Sequence, residues 1–148
     1  VTAMSGGCQC GRITYTAEVE AMEGYLCHCR MCQRATGGVS IAFVNLPKDS
    51  VVWHRAPDWY ASSPIAKRPF CSSCGTPLGF MFDDGENIDL TVGSFDEPDR
   101  FVPTRNFGIE SRHAAWEDTS QLPGVRADEW EPTRSRWIAA TGRVPGRD

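Results

Sequence analysis

The chain has 148 residues, 41% of them hydrophobic and 23% charged, the balance of an ordinary soluble globular domain large enough to bury its own core. Its formal charge of −4 excludes the broadly basic face of a general nucleic-acid binder, and no apolar run approaches the roughly 18 residues of a membrane span. Residues 1–11 lack the basic-then-apolar layout of a secretory signal, and a chain beginning at Val1 is what a trimmed initiator or leader would leave.

In chain order, Met4 to Gly7 reads as a small-residue lead-in to Cys8-Gln9-Cys10. Arg12 to Val19 alternates, with Ile13, Tyr15, Ala17 and Val19 on one side, and predicts a half-buried strand. Gly24-Tyr25-Leu26 leads into Cys27-His28-Cys29-Arg30-Met31-Cys32-Gln33-Arg34, where residues 32–36 suit one helical turn before Gly37-Gly38. Val39 to Leu46 is apolar and β-rich, and Pro47 ends it. Val51-Val52-Trp53 and the stretch around Trp59-Tyr60-Ala61 are further short strands, while Pro64 and Pro69 punctuate the approach to Phe70-Cys71-Ser72-Ser73-Cys74. Residues 77–82 and 87–92 predict two strands across an Asp83-Asp84-Gly85 turn, with Glu86 beside it, and residues 101–109 hold another. The pattern is mostly β with little helix. From Ala127 onward, Trp130, Arg134 and Trp137 fall near helical spacing, yet Pro132 interrupts any long helix, and residues 144–148 are expected to fray.

Seven cysteines is an odd count, and their spacings (C-x-C, C-x-C-x-x-C and C-x-x-C) fit metal ligation better than a disulfide framework. Such thiols belong in a reducing compartment, the cytoplasm. Zinc takes four protein ligands in a structural site, or three with an open position in a catalytic one. C-x-C on a strand puts both sulfurs on one face, and Gly75 after Cys74 allows the positive φ that a C-x-x-C turn needs. Cys8, Cys10, Cys71 and Cys74 could close one site and leave Cys27, Cys29 and Cys32 to hold a second ion. Spacing equally lets Cys71 and Cys74 join two of the central three. An open three-thiolate zinc is a weak Lewis acid, but it holds an incoming thiol as a nucleophilic thiolate. The alternative is a non-catalytic module, in which His28 or a distant residue completes the second site and both ions staple a β scaffold that binds a partner. A redox dithiol protein is disfavoured by the odd count.

Gly7-Cys8-Gln9-Cys10-Gly11, the run from Cys27 to Arg34 ending in Thr36-Gly37, and Phe70-Cys71-Ser72-Ser73-Cys74-Gly75-Thr76 occur in that order. Together they resemble the glutathione-dependent formaldehyde-activating enzyme family, which includes relatives of centromere protein V. The resemblance implies a β-tent, Mss4-like zinc-binding fold of short antiparallel strands over residues 4–125, with 126–148 a C-terminal extension that is partly disordered or a short helix. It implies two zinc ions per chain, a structural one on Cys8, Cys10, Cys71 and Cys74 and a second on Cys27, Cys29 and Cys32. It also implies carbon–sulfur lyase activity on a thiol–aldehyde adduct such as S-hydroxymethylglutathione, with a thiol like glutathione and an aldehyde as partners and neither nucleic acid nor membrane. Arg30 and Arg34 are candidates to pair with substrate carboxylates. The basic residues Lys67 and Arg68 read as solvated surface charges. His28, between two ligands on an extended segment, faces away from the metal in a packing or supporting role. Trp53, Trp59 and Trp116 are expected to fill core or pocket walls. Where the family pattern carries a histidine upstream of a late tryptophan, this chain has Asn106 before Trp116, and His113 is out of register.

Overall fold

A computed structural model describes residues 1–146. Two compact units emerge, Val1–His113 and Ala114–Asp148.

The first unit holds ten strands in two sheets. The smaller sheet pairs β1 (Thr2–Gly7) with β2 (Thr14–Val19), and β2 with β5 (Val51–Trp53), all antiparallel. The expected lead-in over Met4 to Gly7 is therefore wrong: it is a strand, paired residue for residue with β2. Glycine is poor in strands, which hid it, but here the missing side chain is the point. A Cβ on Gly6 would stand 2.4 Å from the Tyr15 ring and 2.6 Å from the Ser94 carbonyl. Tyr15 fills that gap, its hydroxyl 2.8 Å from Ser94 Oγ and its ring edge-on to Trp53 and Phe95. Ile13, Tyr15, Ala17 and Val19 are all buried, as their alternation predicted.

The larger sheet adds β3 (Glu23–Cys27), β4 (Ile41–Pro47), β6 (Asp58–Ser63), β7 (Ala66–Phe70), β8 (Gly79–Phe82), β9 (Asn87–Thr91) and β10 (Val102–Phe107). Its order is β10-β3-β4-β9-β8-β7-β6. The pairing is antiparallel except between β10 and β3, which run parallel with Phe107 opposite Cys27. The residues between those two strands supply the long connection that parallel pairing requires. Pro69 lies inside β7, a strand that it and nearby Pro64 obscured. The ladder from β7 to β8 engages only Ala66 and Lys67, so the missing N–H of Pro69 interrupts nothing on that side. One helix, α1 (Arg30–Thr36), follows β3 and is longer than the single turn expected.

The main core joins both sheets through Met4, Ile13, Tyr15, Val44, Leu78, Leu90 and Phe95, and includes Cys71. A separate small cluster is built from Cys27, Cys32 and Phe43, with Tyr25, Cys29, Ile41 and Phe80 packed on it. Beside it, Asp89 is buried on β9, and its Oδ1 accepts from Tyr25 Oη at 2.9 Å and Asn45 Nδ2 at 3.0 Å. Burial raises the Asp89 pKa, so the ionised form is penalised relative to the unfolded chain. Asp89→Asn keeps the accepting oxygen and removes the charge. It is expected to raise Tm at pH 8, with the gain shrinking as the pH falls and the native carboxyl protonates; thermal melts across that range check it.

In the second unit, α2 (Glu131–Thr141) ends at Gly142, whose φ of 77° lets its N–H cap the Ile138 carbonyl at 2.8 Å. Pro132 starts this helix rather than interrupting it, because a proline in the first turn forfeits no intrahelical bond. Residues 144–146 carry no regular structure, and of the residues expected to fray, 147 and 148 lie outside the described residues. No helix among the described residues is long and apolar enough to cross a membrane.

Candidate metal centres

Four sulfurs converge from two loops far apart in the chain. The loop after β1 carries Cys8 and Cys10, and the turn after β7 carries Cys71 and Cys74. Each pair is bent by its own backbone. Gly11 N–H reaches the Cys8 carbonyl at 3.1 Å, Gly75 N–H reaches the Cys71 carbonyl at 2.7 Å, and both glycines sit at φ 80°. All four Sγ atoms lie within 4.8 Å of one another. The Cys8–Cys10 and Cys10–Cys71 separations are 3.6 and 3.7 Å. A tetrahedron of sulfurs about 2.3 Å from a central ion has edges of about 3.8 Å, so the donors already stand where such an ion needs them. Ile13 N–H donates to Cys8 Sγ at 3.3 Å. The Thr76 hydroxyl, 3.2 Å away, holds the Cys74 thiol down to about 5, whereas hydrogen bonding to the neighbouring cysteines helps to push Cys10 up to about 11. Asp58 clasps the two loops together, taking the Arg12 guanidinium and, at 2.7 Å, the Ser72 N–H.

Cys27, Cys29 and Cys32 form a second group, their sulfurs also within 4.8 Å of one another and Cys27 3.4 Å from Cys29. Cys27 closes β3, Cys29 is the N-cap of α1, and Cys32 lies in its first turn, its N–H donating to Cys29 Sγ at 3.4 Å. Among the described residues no fourth His, Cys, Asp or Glu joins them. Interaction with the Cys27 thiol, and then Arg68, push Cys32 down to about 5, and the same interaction together with burial pushes Cys27 far up. Arg68 Nη2 lies 3.3 Å from Cys32 Sγ, and its guanidinium stacks 5.0 Å above the Phe80 ring. It is 4% exposed.

One wall of this group is backbone. His28 N–H bonds the Phe107 carbonyl at 2.9 Å, and Gly108 then turns at φ 71° directly over Cys29. A Cβ on Gly108 would stand 2.8 Å from Cys29 N and 3.1 Å from Cys29 Cβ. Gly108→Ala combines that clash with a left-handed conformation costing about 1–2 kcal/mol for a residue with a Cβ. The variant is expected to bind one metal ion fewer while keeping its circular dichroism, which metal analysis of the purified protein checks.

The remaining candidates fall as follows. Arg30 is exposed and its Nη1 meets Gln33 Oε1 at 2.5 Å. Arg34 lines a cleft of about 440 Å³ with Met31, Ala35, Tyr60, Ser62 and Arg68. His28 is 3% exposed and outside the sulfur group, its Nε2 2.9 Å from Asn106 Oδ1. Asn106 thus fixes the ring between two cysteines, while His113 reaches Gln33 Oε1 at 3.1 Å. Trp53 packs against the core, but Trp59 and Trp116 are exposed, Trp116 at 63%, and wall no core. Arg68 is buried, not the solvated surface charge that its place beside Lys67 suggests. Its signal was period two: on β7 it shares the buried face with Ala66, which only recognising that strand would have exposed.

Fold and site together define a mostly β domain carrying two all-sulfur groups, either of which could hold a metal ion. Residues 3–111 match the glutathione-dependent formaldehyde-activating enzyme family, and the chain belongs to it. It is similar to an uncharacterized lyase of Schizosaccharomyces pombe, 37% identical over 82 residues that cover 55% of this chain and 60% of that one. The match thus spans about 60% of the length of that relative. The crystal structure of a Rhodobacter sphaeroides protein shares the fold, with a TM-score of 0.54 and 21% identity over 68% of this chain and 98% of that one.

Proposed function

We propose that the chain is a zinc-dependent lyase that makes or breaks the carbon–sulfur bond of a thiol–aldehyde adduct, S-hydroxymethylglutathione being the model substrate. The observation that carries this reading is the group of three cysteines that no fourth His, Cys, Asp or Glu joins among the described residues, set beside a buried arginine and an open cleft. The fungal relative's description as a lyase supports it. In this reading Cys8, Cys10, Cys71 and Cys74 hold a structural zinc, and Cys27, Cys29 and Cys32 hold the second. A zinc ion bound there supplies the affinity for sulfur that keeps an incoming thiol as its thiolate at neutral pH.

The chain's own residues do the rest. Phe43, Phe80, Ile41 and Tyr25 keep water from the sulfur cluster, which strengthens every charge interaction inside it. Arg68 faces the thiolate of Cys32 and offsets its charge. Arg34, at the cleft, and Arg30, partly engaged by Gln33, supply positive charge for substrate carboxylates. In the forward direction the thiol sulfur bonds to the aldehyde carbon, the carbonyl π pair moves to oxygen, and the thiol's proton ends on that oxygen. Seven free thiols suit a reducing compartment such as the cytoplasm.

The test is adduct exchange between glutathione and formaldehyde, followed by NMR with protein loaded with two equivalents of zinc. Exchange faster than in buffer alone is expected; no gain over buffer removes this substrate pair.

A further inference from the structure

We propose that the cleft between α1 and the β6–β7 hairpin is an oxyanion-binding site, and that it selects thiols ending in an acidic group with no amine beside it. This rests on the reading above that a thiol enters at the three-cysteine group. The cleft is lined by Met31, Arg34 and Ala35 from α1 and by Tyr60, Ser62 and Arg68 from the hairpin, where Tyr60 and Arg68 are cross-strand partners. Its two guanidiniums differ in setting: Arg68 is buried and Arg34 exposed.

A guanidinium taken out of water needs a partner, usually a carboxylate. Among the described residues Arg68 has no carboxylate partner, and no acidic side chain lines the cleft. Arg68 spends Nη2 on Cys32 Sγ, while its buried Nε has no partner at all. An oxyanion, carboxylate or sulfonate, is the ligand that two guanidiniums and neighbouring hydroxyls recognise. Tyr60 supplies one such hydroxyl, and Ser62 a second that is only loosely engaged, donating to the Ala66 carbonyl at 3.5 Å. An ammonium group in the same place would meet only positive charge. Arg68 touches both the cleft and Cys32, so the acid and the sulfur of one small molecule can reach their sites together. Glutathione can present its glycine carboxylate here, with its ammonium end left outside.

The experiment uses the full chain with cobalt(II) in place of zinc, so that the sulfur-to-cobalt absorption reports thiols entering at the metal. It is titrated with 3-mercaptopropionate, 2-mercaptoethanesulfonate, 3-mercapto-1-propanol and cysteamine. Both anionic thiols are expected to bind about tenfold more tightly than the alcohol, and cysteamine least of all, although its thiol is the most acidic of the set. Added salt narrows the gap. Arg34→Ala, an exposed change that leaves Cys32 its arginine, is expected to bring the anionic thiols to within about twofold of the alcohol. Equal affinity for all four thiols would overturn the oxyanion site and leave thiol entry standing. No spectral change with any of them would overturn both.

Discussion

Cys71→Ser is expected to cost the first unit its cooperative fold, and with it both metal ions. Cys71 is 0% exposed and belongs to the main core as much as to the four-sulfur group. Holding a structural zinc contributes about 10–16 kcal/mol in small zinc-binding peptides, as much as or more than the roughly 5–15 kcal/mol that keeps an ordinary domain folded. Serine replaces a soft anionic donor with a hydroxyl that has no partner in a dry interior. Loss of the cooperative thermal transition, aggregation, and metal analysis showing neither ion are the readouts. A variant that melts like the parent would sink the structural assignment of this group.

Cys29→Ser is expected to do the reverse, removing activity and one ion while the fold survives. Cys29 belongs to the satellite cluster and is only partly buried. Its sulfur caps α1 by accepting the Cys32 N–H, and serine is among the best residues for that task, so the helix keeps its cap. What disappears is one of three donors. Loss of supporting residues around a metal site already costs about 10–100-fold in affinity, and loss of a ligand exceeds that. The variant should retain its circular dichroism and one ion per chain, with adduct exchange down to the buffer rate. Equal destabilisation by the two serine variants would instead favour a domain in which both ions merely staple the fold.

Much of this was legible in the sequence because it rests on short spacings. The alternation from Ile13 to Val19 gave β2 and its buried face, since a strand's period needs no tertiary information. What escaped depended on long-range partners. β1 looked like a linker because Gly6 makes sense only against Tyr15, and β7 looked broken because Pro69 is tolerable only where the β8 ladder has already ended. The parallel docking of β10 on β3 has no local signature. At the sulfur groups, spacing left the partners of Cys71 and Cys74 open, and the chain path brings them to Cys8 and Cys10. Arg68 escaped for the same reason as β7. A charged residue next to a lysine reads as surface until its strand is known. The support given to His28 by Asn106, and to the helix by Gln33 bonding the Ser111 carbonyl, likewise joins segments far apart in the chain.

Arg68 closes on Cys32 only three positions before Cys71 enters the other sulfur group, so a single stretch of backbone serves both. If each group holds a zinc ion as proposed, dependence between the two runs one way. Under metal starvation the three-donor ion is expected to leave first, and the folded protein that remains can refill when supply returns. Departure of the four-donor ion is expected to be terminal, because it frees the strand on which Arg68 is mounted.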